Sequence, residues 1–199
     1  MKRIPLTLVS LILLLGLGMM YPLAKATART KCNKLALMPL GGTEVQGTAT
    51  LCRSTEDGVR AKIKTEGLTP GNAYTTWFFY IDNPSLCTGG GPGVCGDVDF
   101  GFGNPLANPL GVFGRLDSTV ADENGKETFS GRAGSLRFSS GSQVWLLLLS
   151  HGPAVTNDNR RLARQQLTSE DPPAGAPNLG NVVDGTRFTP NAIAIFNIP

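Results

Sequence analysis

Asp57-Gly58-Val59-Arg60-Ala61-Lys62-Ile63-Lys64-Thr65-Glu66 is the stretch that decides the fold. Val59, Ala61, Ile63 and Thr65 alternate with Arg60, Lys62, Lys64 and Glu66. A period of two is the signature of a strand with one buried and one wet face. The Asp-Gly pair ahead of it is a two-residue hairpin signal, so the β-type run from Val45 to Arg53 is read as its antiparallel partner.

Working outward, Gly67-Leu68-Thr69-Pro70-Gly71-Asn72 turns the chain. Ala73 to Ile81 follows, with Tyr74, Phe78 and Tyr80 on one side and Trp77, Phe79 and Ile81 on the other. A strand that is apolar on both sides is read as central, with the core on one side and a loop on the other. Asn124-Gly125 predicts a second hairpin, joining Val112–Val120 to Glu127–Arg132. Val144 to Leu149 is too short to span a membrane and reads as a buried strand. Asp184-Gly185 marks a third turn, and Ala192 to Ile198 the last strand. The one helical candidate is Asp158 to Leu167, capped by Asn157 or Asp158. The expectation is an all-β antiparallel sandwich of immunoglobulin-like or Greek-key type, with seven to eight strands and one short helix.

The N-terminus carries an address. Lys2 and Arg3 precede an apolar run from Ile4 to Met20, and small residues follow at Ala24, Ala26 and Ala28. This order predicts a signal peptide over 1–26, an extension with the first cysteine over 27–44, and one sandwich domain over 45–199. The protein is expected to be exported, periplasmic or extracellular, with no stable membrane insertion after cleavage. Of 18 Lys and Arg and 15 Asp and Glu, residues 1–26 hold three basic and no acidic residues. The processed chain then carries 15 of each, and no net charge remains to recruit nucleic acid or anionic lipid.

Cys32, Cys52, Cys87 and Cys95 allow three pairings. Cys32–Cys52 and Cys87–Cys95 are favoured because these partners are closest in sequence, and an oxidising compartment favours disulfides over a metal or redox site.

Four segments carry a resemblance. Gly47-Thr48-Ala49-Thr50, then Gly67 through Trp77, then Asn83-Pro84 with Cys87 and Cys95-Gly96, and finally Ser150-His151-Gly152-Pro153 resemble a group of exported bacterial β-sandwich proteins. Their order of elements is similar to the CHRD domain, itself comparable to the copper/zinc superoxide dismutase sandwich. The similarity spans Val45 to Pro153 and the last strand. Both of those families carry histidines after the Gly-Leu-Thr-Pro-like turn. Here Tyr74, Thr76 and Trp77 occupy those places, so the resemblance implies the sandwich without its metal chemistry.

Residue chemistry agrees. After residue 26 the chain has one histidine, His151, and one methionine, Met38. A dismutase or blue-copper site needs several imidazoles, so no metal and no cofactor are expected. Calcium is the residual option, through Asp97 and Asp99 on one face of an extended segment near Asn104, or through Asp122 and Asn124. Turn and surface carboxylates are the plainer reading of all four. His151 is the one neutral-pH acid–base candidate. A hydrolase would pair it with Ser150 or Ser142 and orient it with Asp158. Ser150 and His151 are neighbours on a strand and point to opposite faces, and no Gly-x-Ser-x-Gly elbow is present. The competing reading is that His151 bonds a loop backbone and orders the strand exit. Arg160, Arg161 and Arg164 on the helical candidate read as a solvated face.

The functional expectation is a non-catalytic binding or structural module. His151, Asp97, Asp99, Tyr74 and Trp77 are the candidate contacts, and the partner is a protein, glycan or small ligand. The alternatives are a metal-dependent redox protein and a hydrolase using His151.

Overall fold

The computed structural model describes residues 30–54, 58–100, 103–109, 112–133, 136–155, 166–167 and 189–199. They form nine antiparallel strands. These are β1 (Lys31–Ala36), β2 (Met38–Pro39), β3 (Gln46–Ser54), β4 (Gly58–Glu66), β5 (Asn72–Ile81), β6 (Phe113–Val120), β7 (Glu127–Ala133), β8 (Gln143–Pro153) and β9 (Thr189–Asn197). One sheet has the order β1-β3-β4-β7 and the other β2-β9-β8-β5-β6. Single 3₁₀ turns lie at Pro84–Leu86 and Asp97–Asp99. The described elements are all strands apart from these turns, as the alternation predicts. The expected helix over 158–167 and the Asp184-Gly185 turn lie outside the described residues, except for Gln166 and Leu167.

β4 keeps its alternation: Val59, Ala61, Ile63 and Thr65 are buried, and Arg60, Lys62, Lys64 and Glu66 are exposed. Its pairing with β3 closes at Ser54 opposite Gly58. The connection is therefore the three residues 55–57 rather than a two-residue turn, and Gly58 opens β4 at a φ of 71°, a left-handed conformation suited to glycine.

The expected hairpin at Asn124-Gly125 is not one. β6 pairs with β5 in the five-stranded sheet, while β7 pairs with β4 in the other. Residues 121–126 carry the chain between sheets. They are held there by the Gly67–Asn72 turn: Leu68 N donates to Gly125 O (3.1 Å), Gly71 N to Ala121 O (2.9 Å) and Ala121 N to Asn72 O (2.9 Å). At this corner Asp117 of β6 accepts from Ser130 N of β7 at 2.8 Å, sealing that edge of β7.

The opposite side is closed by the segment expected to be an extension. β1 pairs with β3 in one sheet and β2 with β9 in the other, and Leu37 between them is buried. Residues 31–39 are thus strands of the sandwich. An apolar residue between two short β runs lets one extended segment serve both layers.

Between the sheets lie Leu51, Val59, Ile63 and Phe129 from one layer and Tyr74, Phe78, Tyr80, Leu146, Leu148 and Phe196 from the other. Fully burying a side chain of this size contributes ~1.5–3 kcal/mol. The buried phenol of Tyr80 donates to Asp82 Oδ1 (2.6 Å) and accepts from Ser139 N (3.1 Å). On the far face of the five-stranded sheet, Trp77, Phe79 and Leu149 pack with Trp145 and Leu147 beneath Phe100. Phe100 comes from the loop after β5, with its ring 4.6 Å from Phe79 and 4.9 Å from Trp145. β5 is therefore a central strand with core on one side and a loop on the other.

Candidate functional site

His151 sits near the end of β8, on the side that carries Leu147 and Leu149. It is fully buried. Its Nε2 lies 2.7 Å from Thr75 Oγ1 on β5. The Trp77 indole N–H donates to the same hydroxyl at 3.0 Å. One partner of the imidazole is thus a side chain on the neighbouring strand of the sheet. Gln166 bonds the backbone at the strand exit. Its amide donates to His151 O (3.3 Å) and Pro153 O (2.9 Å), and its carbonyl accepts from Val155 N (2.8 Å).

The serines expected beside a catalytic histidine do not meet it. Ser150 points away from the His151 side, and its hydroxyl accepts from Gly152 N at 3.3 Å. Ser142 donates to Ser139 O (2.7 Å) at the other end of β8. Nine residues of strand place it about 30 Å from His151. Asp158 lies outside the described residues.

Tyr74 and Trp77, read as ligand contacts, are 1% and 7% exposed. Tyr74 turns its phenol back onto the preceding turn, where it accepts from Thr69 N at 3.0 Å. An aromatic strand reads equally as a binding platform or as core, and here both rings are interior.

Asp97 and Asp99 lie on a 3₁₀ turn, not on one face of an extended segment. Asp99 is fully buried rather than a surface carboxylate. Its Oδ1 accepts from Thr88 N (3.0 Å) and Asn104 Nδ2 (2.7 Å), and its Oδ2 from Gly89 N (2.7 Å) and Gly96 N (2.9 Å). Burial pushes its pKa up, but the bonds from Asn104, Thr88, Gly96 and Gly89 outweigh this and lower it to about 2. Asp99 is the internal brace of the glycine loop that Cys87–Cys95 closes. The other disulfide is Cys32–Cys52, directly opposite one another on β1 and β3. Both favoured pairings are present.

Two other carboxylates, Asp122 and Asp82, are also held down by hydrogen bonds. Asp122 accepts from Lys126 N and Asn124 N, and those backbone bonds hold its pKa down. Bonds from Ser139 and Tyr80 do the same for Asp82, against a smaller effect of burial. Among the described residues, no three of His, Cys, Asp and Glu converge as a metal site would require.

Sequence reasoning missed Thr75, Gln166 and the bracing role of Asp99. Asp99 had a signal in its closeness to Cys95, while Gln166 had none. Comparison with protein-family models, curated protein sequences and solved structures finds no match.

Proposed function

We infer that the chain is an exported, non-catalytic β-sandwich module of the cell envelope or extracellular space that acts by binding a partner. One observation carries this reading: the groups best suited to chemistry are engaged inside the fold. His151 and Trp77 share the Thr75 hydroxyl, and Asp99 is bonded to four donors. Each bond braces a strand end or a loop. Two disulfides suit an oxidising compartment. No helix among the described residues is long and apolar enough to cross a membrane. The likeness to the CHRD and dismutase sandwich stays part of this proposal, supported by the order of the quoted segments.

Fractionation of the native host with N-terminal sequencing and metal analysis is the test. The expected product is periplasmic or extracellular, begins near Thr27 or Arg29, and has no thiol reactive before reduction. A cytosolic chain with an intact Met1, or stoichiometric copper or zinc lost in His151→Ala, would overturn the reading.

A further inference from the structure

The solvent face of the four-stranded sheet is a grid whose rows the strand register defines. Lys34, Thr50, Lys62 and Ser130 form one row, and Ala36, Thr48, Lys64 and Thr128 the next. A third row sets Cys32 and Cys52 beside Arg60 and Arg132. Strands lie about 4.8 Å apart and alternate residues about 6.7 Å apart, so Arg60, Lys62 and Lys64 make a cationic ridge about 13 Å long on β4. Hydroxyl side chains flank it on β3 and β7. Shallow depressions run along it, one lined in part by Thr50, Lys62, Ser130 and Arg132, the other in part by Thr48, Lys64 and Thr128, with Glu66, Lys126 and Glu127 toward the end of the ridge.

Lys62 and Lys64 on this ridge have no paired carboxylate among the described residues. Glu66, at its end, pairs with Lys126 at 3.5 Å. Lys34, Lys62, Lys64 and Arg132 form no ion pair among the described residues. Arg60 is already engaged within the chain, and nothing here depends on it. Three of the acidic residues, Asp99, Asp117 and Asp122, accept backbone N–H groups in loops and at the β6–β7 corner, away from this face. A face kept cationic in a near-neutral chain is complementary to a polyanion.

We propose that this face docks a linear anionic polysaccharide, along β4. The proposal rests on the binding-module reading and names its ligand class. Carboxylates of the polymer meet Lys34, Lys62, Lys64 and Arg132, and its hydroxyls meet Thr48, Thr50, Thr128 and Ser130. The face carries no aromatic and no large aliphatic side chain at its outward positions. It therefore has neither a wedge for lipid insertion nor a stacking platform for single-stranded nucleic acid.

The test is equilibrium binding of the purified protein, disulfides formed, to polygalacturonate. Neutral dextran, phosphatidylglycerol vesicles and oligothymidylate serve as comparisons. Polygalacturonate should bind in preference to all three, with affinity falling as salt rises. The double variant Lys62→Gln/Lys64→Gln should weaken binding about tenfold and lower the salt slope by about two, because two polymer counterions are no longer released. Its melting temperature should be unchanged. Arg115→Gln, on β6 of the other sheet, should bind as the parent does. No binding, equal binding to dextran, preference for vesicles or oligothymidylate, or an equal loss in Arg115→Gln would each overturn the proposal. A cytosolic location would instead remove the exported-module reading and leave this measurement standing.

Discussion

Asp99 is the residue where a motif and its role part company. Two acids in a glycine-rich loop suggest a cation site, yet the acceptors of Asp99 point at backbone amides of its own loop. Such bonds are invisible in sequence because they join residues 3 to 11 positions away through a chain reversal. Asp99→Asn would turn an amide NH₂ toward the N–H groups of Gly89 or Gly96, or toward Thr88 and Asn104. Faster hydrogen exchange at Gly89 and Gly96 is the expected result, with the sandwich still folded. The folded-state pKa is depressed to about 2, so the stability this carboxylate contributes is complete above its ordinary value of 3.8 and is lost as pH falls toward 2. Acid titration of the loop amides should show an opening in that window that Asp99→Asn lacks. Thr75 is the second such residue. Thr75→Val removes the hydroxyl shared by Trp77 and His151, at about 2 kcal/mol, the order of a lost bond to buried polar groups. Thermal melts should show a drop of several degrees, largely restored in Thr75→Ser.

At the scale of elements, alternation was legible and partnership was not. β4 declared itself because one face is wet and the other dry, and every outward residue in it is charged. β5 and β8 declared their burial, but not which alternate set enters the core. That depends on the layer opposite, and it is Tyr74, Phe78 and Tyr80 with Leu146 and Leu148. Asn124-Gly125 reports a chain reversal and says nothing about which sheet receives the next strand. Gly125 makes the point testable. Its φ is 63°, and a Cβ there would collide with the carbonyl oxygen of Leu68. Gly125→Ala should destabilise by about 2 kcal/mol or more through strain and clash, while a hairpin glycine in the open would be far more tolerant. Urea denaturation measures the difference.

The described residues form a two-layer sandwich, with one disulfide joining β1 to β3 and the other closing the glycine loop after β5. Cys32 is exposed on an edge strand, whereas Cys87 is buried. Stepwise reduction with differential alkylation should open Cys32–Cys52 first. Loop-closure entropy attributes about 3 kcal/mol to that bond and somewhat less to the shorter loop of Cys87–Cys95. Net charge was legible in composition, and its distribution was not. The sequence showed Arg60, Lys62 and Lys64 on one face of one strand. Only the register added Lys34 and Arg132 beside them and hydroxyls between. The interior polar network thus braces the fold, and the proposed partner meets the cationic sheet face. Backbone amide shifts during titration with polygalacturonate test it most directly. Perturbation should centre on Thr50, Lys62, Lys64 and Ser130, with Thr75 and His151 unmoved. Perturbation centred on Thr75, Trp77 and His151 would contradict it.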